Sequence, residues 1–551
     1  MKNIFADIGL RKPRKSSFDL SHARKMSFWP GMLIPIFLHD TMPGDKFSMS
    51  SSALVRMMPM LAPIMHLVDC CSYSFFVPMR LCMKHSKFEV FITGGKNGDG
   101  KDAQGNTVEI PYFVVNNGGS SVPPYSFDIS KIGKGTLGDY LGIGMSDIYG
   151  TMGSGSQRIN AMPFLAFWRI WCEYFRDQNL HPDYVSLYPD VFDAEGDITH
   201  ALELAQTDGT NPFDWFHVPN VCWEKDLLTS ALPFAQRGQP VETPLSGTAT
   251  VTYKTNTEQI VQSDGNPLTV GGDVEVVPGT GGAGFLRNKT GPEGLSVENI
   301  QDVELTSGGF TINALRLAAR LQEWLERMAR GGARYVEQCL SMWGVVSSDA
   351  RLQRSEYLAG GKMPVSISEV LQTGEEGVTA QGNMSGHGVA AGNVTHWSKY
   401  FEEHGYIVSV FFMRPRTAYQ NGIPRLFTQR FDKLDWPWWQ FANLGEQEVL
   451  NREVYFNLDN NDSGTFGYQQ RLHEYKYIPN TVHGEMRDSL DFWHWGRKFA
   501  ELPALNPNFV TCSPDDRIFA LQDDLFDSIV AIVNNRIEAI RPLPYRGEPT
   551  L

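Results

Sequence analysis

The sequence is poor in the local signatures on which enzyme chemistry is built. It has no Gly-x-Ser-x-Gly pentapeptide to aim a serine nucleophile, so that hydrolase mechanism has no local support. It has no phosphate-cradling Gly-x-x-x-x-Gly-Lys-Ser/Thr either: Gly95-Lys96 runs on into Asn97 and Gly361-Lys362 into Met363, leaving no hydroxyl for a metal ion. His-Glu-x-x-His and Cys-x-x-Cys are both absent, and adjacent Cys70-Cys71 has the wrong spacing for a chelate, so neither a metal nor a cofactor is expected. Seven cysteines in 551 residues are too sparse for a disulfide scaffold and point to folding in a reducing compartment. Long apolar runs are missing: Met57 to Val68 is broken by Pro59, Pro63 and His66, and the N-terminal MKNIFADIGLRKPRK has no signal-peptide core. Neither membrane insertion nor export by that route is expected. Positive charge is in deficit, with 48 Lys+Arg against 62 Asp+Glu, and a net −14 excludes a uniformly basic nucleic-acid binder.

What is abundant is turn-forming and aromatic residues. Fifty-two Gly and 32 Pro cut the chain into short segments, while 42 % hydrophobic and 12 % aromatic residues supply a large core. Turn-rich β structure is favoured. From Ser27 to Leu81, short runs such as MLIPIFL and YSFFVPMRL alternate with Pro and Gly, the pattern of strands joined by tight turns. The polar loop GGKNGDGKDAQGN (residues 94–106) lies between VFIT and VEIPYFVV, and the simple expectation is a long hairpin.

Helices are few. Thr311 to Arg330 places Leu317, Leu321, Trp324, Leu325 and Met328 on one stripe, with Arg316, Arg320, Arg327 and Arg334 on another face and Gly331-Gly332 as a stop. Phe164 to Asp177 and Asp524 to Ile540 read as two more. Residues 239–299 stand apart, with ten Gly, nine Thr, five Pro and only Tyr253 and Phe285 as aromatics. TATVTYKT, EQIVQ and DVEVV alternate at strand period within it, so it reads as a large exposed insertion carrying small hairpins.

Five features invite a chemical reading. The first 25 residues carry seven Lys/Arg against Asp7 and Asp19, a net +5 that leaves −19 for the rest. Such an arm is either a solvated tail or a polyanion-binding extension. Asp459-x-Asn461-x-Ser463-Gly464 resembles the start of a calcium loop, but Gln470 stands where a bidentate Glu is needed, so an ordinary turn is the better reading. Trp436, Trp438 and Trp439 in DWPWWQF, with Trp493 and Trp495 in DFWHWGRKF, fit a core or a subunit interface better than base or sugar stacking. His494 reads as a packed histidine. Asp488 and Asp491 are the carboxylate pair that a rival reading, a carbohydrate-active β-rich enzyme, would use, although their spacing suits a solvated face better. A second rival, a soluble single-stranded-DNA-binding module, is disfavoured by the net charge.

Long strings of residues then narrow the field. FDLSHARKMSF, PGDKF, FFVPMRL, GTLGDYLGI, YFRDQNL, LTSALPFAQRG, ERMARGGARYVE, LQRSEYLAGGKMPVSISEVLQT, EHGYIVSVFFMRP, FGYQQRLHEYKYIP and RIFAL occur in this order across nearly the whole chain. Together they resemble the major capsid proteins of microviruses, especially the gokushovirus-like branch of these bacteriophages. Ala333 stands where Thr is common in the family, and Ser355 where Pro is common. The resemblance implies an all-β-dominated fold, an eight-stranded antiparallel jelly roll with long inter-strand insertions and a few helices. It implies a non-enzymatic structural protein, about sixty copies of which form a small T=1 icosahedral shell around circular single-stranded DNA. It also implies a small basic DNA-packaging protein, scaffolding and pilot proteins, a host cell-surface receptor, and assembly in the bacterial cytoplasm before residence in the virion. Residues 1–26 are then a basic arm and 27–551 one jelly-roll domain with insertions, 239–299 the exposed one. The arm residues Arg11, Lys12, Arg14, Lys15, Arg24 and Lys25 become candidates for DNA contact without base readout. Thr252, Tyr253, Asp264, Asn266 and Phe285 become candidates for a host-facing surface, near the shell's threefold axes in similar proteins.

Overall fold

The computed structural model describes the chain except residues 1–13, 117–125, 145–155, 210–212, 239–240, 242–273, 279–283, 289–293, 296–311, 333–334, 375–380, 459–462, 523–525 and 547–551. It forms two compact units, residues 1–237 with 326–551, and residues 238–325.

Eight strands organise the first unit: β1 (His22–Phe28), β2 (Ile34–Thr41), β3 (Lys46–Met57), β4 (Val68–Pro78), β5 (Glu356–Pro364), β6 (Met384–Tyr400), β7 (Gly405–Pro415) and β8 (Ile529–Arg541). One sheet has the order β1-β8-β3-β6 and the other β2-β7-β4-β5, every pairing antiparallel. This is the jelly roll. Ser16–Asp19 extends the first sheet by pairing farther along β8, and Ser366–Leu371 pairs with β6 at the other edge. Burial alternates along β3 and β8, so Phe47, Met49, Val55, Val533 and Ile537 face the second sheet while their neighbours face outward.

Small polar side chains lie between the sheets, and they are satisfied. Thr395 Oγ1 on β6 donates to Ser72 Oγ on β4 at 3.0 Å. Asn535, fully buried on β8, accepts from Ser51 Oγ at 2.8 Å and donates through Nδ2 to the Ile36 carbonyl at 3.0 Å. A bulge in the β2–β7 ladder leaves Ile36 without a register partner, and the Asn535 amide reaches across from the opposite sheet to its oxygen.

The connection from β4 to β5 runs from residue 79 to 355 and supplies a third layer. Within it, helix Met162–Ile170 is preceded by Asn160, whose Oδ1 accepts from Met162 N at 2.9 Å, and has Pro163 as its second residue, where the missing N–H is harmless. The helix packs on β4 and β7 and continues as a π-helical turn, Trp171–Phe175. Tyr174 lies 4.7 Å from Phe75, and Phe175 lies 5.9 Å from Phe412, ring centre to ring centre. Phe113, Phe127, Phe164 and Phe216 pack edge to face beside them, so this layer shares one apolar core with the jelly roll.

Two expectations are corrected. Asp524 to Ile540 is not a helix: Ile529–Arg541 is the central strand β8. IVAIVNNRIEAIR is apolar often enough to fit both periods, and its β-branched residues favour the strand. VFIT is not a strand of a hairpin, because it ends helix His85–Thr93, which Gly94 closes at φ +78°. Tyr112–Asn116 pairs instead with the mostly exposed Ser156–Asn160, a partner with no apolar signal to announce it. The helix expected from Thr311 to Arg330 is present as Ile312–Gly331, with Gly332 at φ +96° beyond it, and the one expected from Phe164 to Asp177 is present as Met162–Phe175, ending two residues earlier where Arg176 turns extended.

In the second unit, Val274–Pro278, Gly284–Asn288 and Gly294–Leu295 form a small antiparallel sheet. Val274–Pro278 takes up most of DVEVV, whereas TATVTYKT and EQIVQ lie outside the described residues. No helix among the described residues is long and apolar enough to cross a membrane. All seven cysteines are free thiols.

Candidate functional site

The carboxylate pair of an enzyme is not there. Asp488 is exposed and accepts from the neighbouring Ser489 amide. Asp491 is tied to Lys498 at 2.9 Å, and that hydrogen bond holds its carboxyl below the usual range, the opposite of what a general acid needs. His494 is buried with both ring nitrogens engaged, one at 2.7 Å from the Met486 carbonyl and the other accepting from Gly496 N at 2.8 Å. Trp495 beside it is buried and donates to the Asp515 carbonyl. An aromatic cleft of about 330 Å³ between β4, β7 and the π-helical turn holds Asp177 and Lys225, which neutralise each other. No group of three metal-ligating side chains occurs among the described residues; Asp459 and Asn461 lie outside them.

The basic arm is described from Arg14 onward, so Arg11 and Lys12 lie outside the described residues. Arg14 is exposed. Lys15 donates to the Gly44 carbonyl at 2.5 Å and sits 5.0 Å from the Tyr400 ring. Lys25 is exposed on β1, while its neighbour Arg24 turns inward and donates to the carbonyls of Tyr140 (2.8 Å) and Pro35 (3.4 Å), with burial pulling its pKa down. The structure thus brings Lys25 and Arg24 onto one strand but opposite faces. Of the candidate host-facing residues, Thr252, Tyr253, Asp264 and Asn266 lie outside the described residues, and Phe285 sits in strand Gly284–Asn288 opposite Val277.

A surface that motif reasoning only half resolved lies in the long connection between β7 and β8. From Arg425 to Gly445 the chain makes three single helical turns, at Arg425–Thr428, Lys433–Asp435 and Trp439–Phe441. Arg425, Arg430 and Asp435 are tied down within it, while Asp432 and Lys433 are exposed. Arg425, 5 % exposed, pairs with buried Glu453 at 3.1 Å through Nε. Burial alone would raise the Glu453 carboxyl, but His473 and Arg425 outweigh it and hold it below the usual range. Arg430 pairs with Glu474 and Tyr475, and His473 lies between the two carboxylates at 3.6 and 3.9 Å. Asp435 Oδ2 accepts from the amides of Arg430, Phe431 and Asp432 at 3.1 to 3.2 Å, fixing a loop in which Arg430 adopts φ +94°. The outer side is apolar: Phe427, Phe431, Trp436, Trp438, Trp439 and Phe441 are 36 % to 86 % exposed. Of the tryptophans read as core or subunit-interface residues, Trp495 is core, whereas Trp436, Trp438 and Trp439 stay 49 % to 81 % exposed in the single chain, outside its core.

The long connection of this jelly roll turns a large apolar face to solvent, an arrangement suited to action through surface contacts. Comparison with known proteins makes the class specific. Residues 8–551 match the family described as capsid protein (F protein), and the chain belongs to it. It is 31 % identical to capsid protein VP1 of Chlamydia phage 1, over 100 % of this chain and 98 % of that one. It is 31 % identical to capsid protein VP1 of Bdellovibrio phage phiMH2K (100 % and 97 %) and 30 % to that of Spiroplasma virus 4 (98 % and 95 %). It is therefore a microvirus major capsid protein, structural and not catalytic.

Proposed function

We propose that about sixty copies of the chain close into a T=1 icosahedral shell around a circular single-stranded DNA genome. The observation that carries this reading is the eight-stranded jelly roll in a chain similar to capsid proteins along its whole length. Shell contacts replace catalysis as the source of function, their rotations closing at five-, three- and twofold axes. The arm (Arg11, Lys12, Arg14, Lys15, Arg24, Lys25) faces the genome and holds phosphates without reading bases, Arg24 by its field alone because main-chain carbonyls occupy its guanidinium. An acidic body leaves most of the genome's charge to a small basic packaging protein. Scaffolding and pilot proteins assist assembly in the host cytoplasm, and the insertion at residues 239–299 meets a host receptor. Negative-stain microscopy of particles made with the chain's assembly partners tests the shell: closed particles of about sixty copies support it, and only monomers or dimers in the same preparation overturn it. Deleting residues 1–15 tests the arm, which predicts lower genome content and a weaker salt dependence of DNA retention.

A further inference from the structure

The Arg425–Gly445 surface is inverted relative to an ordinary loop: ion pairs lie beneath it and aromatic rings on top. Taking about 200 Å² per ring, six rings at 36 % to 86 % exposure present on the order of 700 Å² of apolar area. The largest apolar patch on a typical monomer is about 300–600 Å², and one side of a standard interface is about 800 Å². The rings cannot turn inward, because Arg425 and Arg430 are anchored to Glu453 and Glu474, and Asp435 clamps three successive amides. The face is therefore preorganised, which lowers the ordering cost of binding. With both guanidinium groups turned down to carboxylates, Lys433 is the one exposed cation from Arg425 to Gly445 and exposed Asp432 stands beside it, too little positive charge for phosphate-bearing chains.

We propose that this face is a docking surface for a second copy of the chain, and that Phe431 and Trp439 are the central side chains of that contact. The proposal rests on the shell reading for its choice of partner. Every copy carries the face, and its apolar area, on the order of 700 Å², is close to the about 800 Å² that one side of a standard interface needs, so a second copy of the chain fits it in size and is present wherever the face is. The Trp- and Phe-rich composition is that of an interface centre.

The test is hydroxyl-radical footprinting of assembled particles against subunits dissociated from them, together with a photo-crosslinking residue at position 431. The expected result is at least fivefold protection of Phe431, Trp436 and Trp439 on assembly, with crosslinks joining two capsid chains. Phe431→Ser with Trp439→Ser should cut particle yield at least tenfold while leaving the thermal midpoint of the subunit unchanged, since both side chains are exposed there. Rings equally reactive in particles and subunits overturn the proposal, as do crosslinks running only to a different virion protein. If the wild-type chain forms no closed particle yet position 431 still links two copies, the shell reading falls and the docking surface stands. Closed particles with open rings mean the reverse.

Discussion

Replacing Asn535 with Ala probes the join between the two sheets. The side chain is fully buried, and its loss strips Ser51 Oγ of its acceptor and the Ile36 carbonyl of the donor that compensates for the bulge in the β2–β7 ladder. Each buried polar group left without a partner costs about 1–3 kcal/mol, so the pair predicts about 3 kcal/mol, with a small cavity adding to it. Hydrogen exchange read by mass spectrometry reports this locally: in peptides covering residues 46–57 and 529–541, protection should fall about 100-fold, since 1.4 kcal/mol is a factor of about ten. Adding Ser51→Ala should recover part of the loss, because removing both members of a buried pair costs less than orphaning one. A single-variant loss under about 0.5 kcal/mol, or strict additivity of the two substitutions, would refute the argument that these hydrogen bonds hold the sheets in register.

Other perturbations test other parts of the structure. A Cβ at Gly361 would lie 1.9 Å from the Val394 carbonyl of β6, so Gly361→Ala should force β5 and β6 apart and lower the urea midpoint of the subunit by the equivalent of about 3 kcal/mol. Glu453→Gln leaves Arg425 buried without its counter-charge and should cost about 3–5 kcal/mol in the same assay. Stability should fall as the pH is lowered. Burial holds His66 and His181 at a pKa of about 4, so below about pH 6.5 the unfolded chain protonates first, and each contributes about 1–2 kcal/mol of loss after allowance for solvent at partly open sites. Glu453, held low, adds a further loss as pH drops from its unfolded value through its folded one; urea midpoints from pH 7.5 to 4 that stay constant would contradict both. Burial pushes the Cys82 and Cys172 thiols up to about 12 and the Cys71 and Cys222 thiols up to about 11, so a thiol reagent at pH 8 should label half-buried Cys339 at least tenfold faster than these four in the native chain, and all alike in urea.

How much was legible beforehand differs between elements. Helix Ile312–Gly331 was readable because its apolar stripe repeats every three to four residues and a Gly-Gly pair stops it. β8 was not, because IVAIVNN satisfies a helical and a strand period at once, and only the neighbours β3 and β1 settle which hydrogen bonds its backbone makes. The candidate sites divide in the same way. The charge of the arm is visible in the sequence, but that Arg24 turns inward follows from the position of Tyr140, more than a hundred residues away. DWPWWQF is conspicuous as text, yet its direction is set by Glu453 and Glu474 beneath the loop, which no local pattern connects to it.

By itself, then, the sequence determined composition, turn density, the absence of catalytic signatures and, through long ordered strings, membership of a capsid family. Tertiary structure alone decided which aromatic cluster is core and which is surface, and how the sheets are stitched. The physical reason is range: periodicity and capping act over a few residues, whereas burial depends on partners such as Asn535 and Ile36, 499 residues apart and brought together only when the jelly roll closes.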